Sequence, residues 1–309
     1  MSDVPIWIAH DPASQHVLEI AGKVAETSTT LLITGESGTG KDQLARLIHE
    51  RSPRRDAPYL KIDCASLPQE LVESELFGHE RGAFTGAGER KLGRLEMAGA
   101  GTIVLDEVAA LSTTTQAKLL RVLEERSFER LGGTETLAIE ARLIALTNAE
   151  LQRAVAARRF REDLYFRLSV LAIHVPALRE RRADIVPLAE HMLARLAAVH
   201  GRGGTALSDE LRPVLENYDW PGNIRELKNA IERALIFGKG PIISREDLPE
   251  SIGKADSGTM AGMRSLEEME REVIQKTLEG THYKITRAAE ILGISRKTLL
   301  DKRKKYGLQ

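Results

Sequence analysis

The sequence predicts an α/β fold: a parallel sheet with helices on both faces, followed by an α-helical lid and a small all-α helix-turn-helix domain. Three observations carry this. A glycine-rich loop, Gly35 to Asp42, follows an apolar run. A second apolar run, about 60 residues further on, ends in two adjacent acids, Asp106 and Glu107. The C-terminal tail is basic and helical in spacing, and is broken at Gly293.

The elements follow in chain order. Short apolar, partly β-branched runs at 31–34, 59–63, 102–106, 142–147 and 170–175 alternate with helical patterns, as parallel α/β sheets require. Residues 1–175 are therefore one α/β subdomain. Over 176–252 no strand pattern recurs. Ile185, Leu188, Met192 and Leu196 follow helical spacing, and 211–217 and 224–237 read as further helices. Residues 253–263 are small, polar and glycine-rich, a linker, and 264–309 form the tail.

The glycine-rich loop reads Gly35, Glu36, Ser37, Gly38, Thr39, Gly40, Lys41, Asp42. Its three glycines let the backbone turn tightly and aim N–H groups inward. Leu44, Leu47 and Ile48 place a helix directly after it, so a helix N-terminus faces bound phosphates and Lys41 reaches the terminal ones. The strand before and the helix after separate this loop from an ordinary glycine-rich turn. The Ser or Thr that usually follows such a lysine is Asp42 here. A hydroxyl ligand to magnesium is missing, and more of the metal binding is expected of Asp106.

The strand at 102–106 delivers Asp106 to the carboxyl edge of the sheet, where open α/β sheets bind ligands. There Asp106 would hold Mg2+, directly or through water, and Glu107 would orient and deprotonate the attacking water. Taken alone the two acids could be a solvated strand end. Beside the glycine-rich loop they imply nucleotide hydrolysis.

In the tail, Ala288 and Ala289 let a second helix approach, Gly293 turns the chain, and Ser295 can cap the next helix. That helix carries Arg296, Lys297 and Lys302 outward while Leu299 faces the core. Eight basic residues against two acidic ones lie between Lys284 and Lys305, on a chain whose net charge is −1. This pattern is a helix-turn-helix with a basic recognition helix; a solvated basic hairpin is the alternative reading.

Composition bounds the rest. A chain of 309 residues, 42% hydrophobic and 29% charged, has ample core for two or three domains. One cysteine, Cys64, excludes an internal disulfide framework and fits a reducing cytoplasm. No run is long and apolar enough to span a membrane, and the first residues lack a signal-peptide pattern, so no membrane partner is expected.

Between the two nucleotide segments lies Gly82, Ala83, Phe84, Thr85, Gly86, Ala87. A phenylalanine on a glycine-hinged, flexible loop is costly to expose, which suggests a contact surface for a partner. GAFTGA resembles the signature loop of the bacterial enhancer-binding proteins, the AAA+ activators of sigma-54 RNA polymerase. The resemblance continues through GESGTGKD, 74–80, 119–124, Thr147-Asn148, 160–164 with Arg167-Leu168, Leu178-Arg179-Glu180-Arg181 and Trp220 to Leu227, and ends in a tail similar to the Fis-type DNA-binding domain.

The resemblance implies further roles. Thr147 and Asn148 look like the first sensor of the γ-phosphate. Arg161 and Arg167 look like arginine fingers reaching a neighbouring subunit's site, although without the family they also read as surface ion pairs. Arg225 looks like the second sensor, on the lid. Gly82 to Ala87 would touch the sigma-54 holoenzyme through Phe84 and Thr85. Ser295, Arg296, Lys297, Thr298, Lys302 and Lys304 would meet enhancer DNA. The family works as a homo-oligomeric ring, usually a hexamer. The expected function is a sigma-54-dependent activator using ATP and Mg2+; a DNA-binding repressor or scaffold, and an initiator or unfolding ATPase, are the competing readings.

Two positions depart from the family pattern. Many relatives have an asparagine where Asp63 stands, and it hydrogen-bonds the catalytic glutamate. An ionised aspartate cannot donate that bond and would repel Glu107. Asp301 stands where a basic residue is common, which moves the expected phosphate contacts to Lys302 and Lys304. About 30 residues precede the first strand, too few for a regulatory domain of ordinary size, so control is expected in trans by a regulator protein or through concentration-limited assembly.

Overall fold

Five strands pair side by side in parallel: β1 (Leu31–Thr34), β2 (Tyr59–Asp63), β3 (Thr102–Asp106), β4 (Arg142–Thr147) and β5 (Leu171–His174), in the order β2-β3-β4-β1-β5. The computed structural model describes residues 7–84, 87–238, 240–249, 252, 274–275, 277–278, 281 and 283–306. The chain divides into two compact units, 1–253 and 254–309.

Because side chains alternate across a strand, β1, β3 and β4 feed two cores. Leu32, Ile103, Leu105, Leu143 and Ala145 pack on one face with α3 (Gln69–Phe77) and α4 (Thr113–Glu125). Leu31, Ile33, Val104, Ile144 and Leu146 pack on the other with α1 (Pro12–Ala25) and α2 (Lys41–Glu50). Asp11 caps α1, accepting from the Ala13 N–H at 3.0 Å with Pro12 following, and the buried Arg142 guanidinium donates to the Val24 carbonyl at 2.9 Å at its other end. Short helices α5 (Leu151–Ala156) and α6 (Glu162–Leu168) complete this layer.

The residues after β5 fold around Trp220 and α7 (Ile185–Val199), α8 (Leu211–Asn217) and α9 (Asn223–Phe237). The expectation of no strand here needs correction. Ala206–Leu207 and Ile242–Ile243 form a two-stranded parallel pair. Two residues are too few for a readable alternation.

In the C-terminal unit, α10 (Ile285–Leu292) and α11 (Arg296–Lys305) enclose a small core of Ile274, Leu278, Ala288, Ala289 and Leu299. The expected linker, 253–263, lies outside the described residues.

Candidate nucleotide site and accessory surfaces

The loop after β1 turns through positive φ at Gly35, Gly38 and Gly40 (147°, 79° and 100°). A Cβ on Gly38 would lie 2.5 Å from the Gly222 carbonyl oxygen, so only glycine lets the lid sit this close. Helix α2 starts at Lys41 directly behind Gly40. The Lys41 ammonium is largely buried and donates to the carbonyls of Gly35 (2.8 Å) and Glu36 (2.9 Å). Burial lowers its pKa, and the charges of Glu107 and Asp106 oppose that shift. The fully buried Thr39 hydroxyl donates to the Glu36 carbonyl at 2.9 Å.

Asp106 ends β3 beside Asp63 of β2. Asp106 Oδ1 accepts from the Glu107 N–H at 3.0 Å; Asp106 Oδ2 lies 2.8 Å from Lys61 Nζ. The same ammonium lies 2.9 Å from Asp42 Oδ1. Burial works against the Lys61 charge, but hydrogen bonds to Asp106 and Asp42 outweigh it and raise its pKa. Two carboxylates converging on one cation is the donor chemistry a magnesium ion takes, alongside substrate phosphates rather than in a protein cage. Among the described residues no group of three or more His, Cys, Asp or Glu is placed to hold a metal ion by itself, and Mg2+ does not need one. Asp42 and Asp106 fit the ion.

Glu107 sits in the left-handed region (φ 53°, ψ 51°), and its Oε2 accepts from the Asn148 N–H at 3.2 Å. Thr147 is fully buried, its Oγ1 accepting from the Ala149 N–H at 3.0 Å, so the exposed member of that pair is Asn148. Asp63 Oδ1 accepts from the N–H groups of Ala65 (3.0 Å) and Ser66 (3.2 Å).

The lid grips the loop from above. Arg179 forks onto Glu36 at 2.5 and 2.9 Å, and buried Asn223 donates to Glu36 Oε2 and the Ser37 carbonyl, both at 3.1 Å. Arg225 donates to Ser37 Oγ at 2.9 Å. The Arg179 hydrogen bond, then that of Asn223, holds the Glu36 carboxyl down to about 2.

Arg161 and Arg167 are exposed and do not reach this loop. Arg161 forks onto Asp163 at 2.7 and 3.0 Å, and Arg167 donates to the Leu123 carbonyl at 3.0 and 3.3 Å. Of the GAFTGA loop, Thr85 and Gly86 lie outside the described residues. The Gly82 N–H donates to the Ala87 carbonyl at 2.8 Å, closing the loop base. Phe84 is 42% exposed and sets its ring edge-on against His79, centroids 4.9 Å apart. Below, Arg130 is almost fully covered and joins Glu80, Glu96 and Glu135 at 2.8–2.9 Å. Its role was not legible in the sequence, because its partners come from three separate segments.

In the other unit, Gly293 has φ 65° and Ser295 Oγ accepts from the Thr298 N–H at 3.0 Å, capping α11. Arg296, Lys297 and Lys304 are exposed, Thr298 is half-buried, and Arg296 donates to the Thr286 hydroxyl. The expectation that Lys302 points outward needs correction. It is half-buried, because it lies three residues after the buried Leu299, on the same helix face.

A parallel sheet in this order, a phosphate loop, an acidic strand end and a helical lid define an AAA+ ATPase. The Sigma-54 interaction domain family matches residues 7–174, the AAA+ ATPase lid domain 179–264, and the Fis family of bacterial regulatory proteins 265–306. The transcriptional regulatory protein ZraR of Salmonella typhimurium is 46% identical over 297 residues, which are 96% of this chain and 67% of ZraR. The regulatory protein AtoC of Escherichia coli is 43% identical, covering 97% of this chain and 68% of AtoC. The Nif-specific regulatory protein of Azospirillum brasilense is 48% identical over 84% of this chain and 41% of that protein. The crystal structure of NtrX from Brucella abortus superposes with a TM-score of 0.76 at 36% identity, covering 99% of this chain and 70% of NtrX; NtrX has also been solved with ADP and with ATP. The chain belongs to the sigma-54-dependent transcriptional activators, AAA+ ATPases joined to a Fis-type DNA-binding domain.

Proposed function

We propose that this chain binds enhancer DNA through α11 and uses ATP hydrolysis, in a homo-oligomeric ring such as a hexamer, to remodel the closed complex of sigma-54 RNA polymerase in the cytoplasm. The observation that carries the reading is the meeting of Lys41, Asp106, Glu107 and Asn148 at one sheet edge, in a unit that also bears the GAFTGA loop.

In this reading Lys41 and the glycine-rich loop hold the phosphates. Asp106, with Asp42 beside it, holds Mg2+, which supplies neutralisation of phosphate charge. Glu107 takes a proton from the attacking water. Asn148 reads the γ-phosphate while Thr147 fixes its turn. Arg225 reads the phosphates from the lid. Arg161 and Arg167, exposed and bonded to Asp163 and the Leu123 carbonyl and not to their own loop, act on a neighbouring subunit's ATP, adding the cation that phosphoryl transfer needs. Phe84 and Thr85 contact sigma-54. Ser295, Arg296, Lys297, Thr298, Lys302 and Lys304 contact DNA, and a regulator protein in trans can set assembly.

Open-complex formation on a sigma-54 promoter tests this. The expected result is opening that requires ATP, fails with a non-hydrolysable analogue, and rises with hydrolysis per subunit as protein concentration drives assembly. Hydrolysis with no promoter opening would leave an ATPase without the remodelling role.

A further inference from the structure

The Lys61 ammonium stands within hydrogen-bond distance of both carboxylates proposed to hold Mg2+: Asp106 Oδ2 at 2.8 Å and Asp42 Oδ1 at 2.9 Å. Its Cα pairs with Val104, two residues before Asp106 on the neighbouring strand, so the side chain runs diagonally along the sheet edge to reach that carboxylate. The alternation of β2 puts Tyr59 and Lys61 on the α2 side, where Asp42 stands on the first turn of the helix. Nothing in this arrangement is needed for packing: the Lys61 side chain is 34% exposed, and Asp42 is 56% exposed.

We propose that Lys61 is an internal counter-cation that competes with Mg2+ for Asp106. The inference rests on the reading of Asp106 as the metal ligand. A divalent ion at Asp106 would meet an ammonium bonded to the same carboxylate, and like charges at such range repel. Metal entry therefore requires Lys61 to leave. Its flexible four-carbon stem and part exposure allow that movement at small cost. Lys61 thereby offsets one of the two carboxylate charges and makes tight metal binding depend on the phosphates that arrive with the nucleotide. The lysine acts as a positioning residue, setting the metal's affinity without touching the reacting atoms.

The test titrates Mn2+ into the full chain, reading free ion by electron paramagnetic resonance, with and without a non-hydrolysable ATP analogue. Lys61→Gln keeps a donor but loses the charge, Lys61→Met loses both, and Lys61→Arg keeps the charge. The first two should each bind Mn2+ about two- to fivefold more tightly than wild type without nucleotide, the scale of losing one partly exposed ion pair. The gain should shrink when the analogue is present, and Lys61→Arg should match wild type. Unchanged or weaker Mn2+ binding by both uncharged variants overturns the proposal. So does a loss of metal-free nucleotide affinity without a change in Mn2+ affinity, which makes Lys61 a phosphate contact. Asp106→Asn separates the two layers of the argument. Retained Mn2+ binding by that variant removes the metal assignment itself. Its loss, with Lys61 variants unchanged, removes only the role of Lys61.

Discussion

The Asn148 backbone N–H donates to Glu107 Oε2 at 3.2 Å, tying the Glu107 carboxylate to the turn that follows β4. Two strands thus meet through one bond at the carboxyl edge, and the left-handed backbone of Glu107 aims its side chain across to Asn148. Asp63, at the end of the neighbouring strand, accepts from the N–H groups of Ala65 and Ser66. The Glu107 carboxylate thus accepts from a main-chain donor, which among substitutions at Asn148 only proline removes.

That bond shapes the first prediction. Glu107→Gln retains an oxygen for the Asn148 N–H but no base for water. Nucleotide binding should persist while hydrolysis falls about 100-fold or more. Lys41→Ala should instead lose binding. Equilibrium binding of a fluorescent nucleotide beside steady-state turnover separates them; substantial turnover by Glu107→Gln would refute its role.

Complementation tests the arginines. Arg161→Ala and Lys41→Ala proteins should each be inactive. Mixed rings should recover part of the hydrolysis, because one interface then joins an intact loop to an intact finger. Verified mixed rings with no recovery would count against action in trans.

The proposed coupling to sigma-54 is tested at Thr85. Thr85→Ala should hydrolyse ATP and bind DNA at wild-type levels yet fail to open promoters, since the change removes nothing from the nucleotide site. Normal transcription by this variant would sink the proposed contact.

The lid clamp carries a pH signature. The Glu36 carboxyl is held down to about 2 by Arg179 and Asn223, so the ionised clamp is complete above the ordinary carboxylate range and is lost only as pH falls towards 2. Nucleotide release should therefore be flat between about pH 6 and 8. Glu36→Gln should speed release by a few-fold at both, a modest change because the pair is partly exposed and screened. Stopped-flow displacement measures it; a steep wild-type pH dependence that the variant abolishes would overturn the assignment.

On DNA, Arg296→Ala should cost about 1–3 kcal/mol of specific binding if it reads a base edge. Lys302→Ala should weaken specific and random sequences alike and flatten the salt dependence. Binding isotherms at several salt concentrations decide between them, and equal losses for Arg296→Ala would make it a phosphate contact.

The local pattern of residues determined much of this protein. The three central strands, β1, β3 and β4, lie where apolar, β-branched runs stand, because a strand buried on both faces has no other composition open to it. Gly293 and Ser295 dictate the turn and cap before α11, since a left-handed residue and an N-cap oxygen are local requirements. Gly35 to Lys41, Asp106 and Glu107 announce themselves through residue type and order. Tertiary structure alone decided which distant groups meet. Lys61, Asp42 and Asp106 converge because β2 pairs with β3 under the start of α2. Arg179 and Asn223 reach Glu36 because the lid folds back over the loop. Lys302 is half-covered because its helix packs through Leu299. Ion pairs act over a few ångströms between residues far apart in sequence, and charged side chains leave no periodicity along the chain to mark their partners.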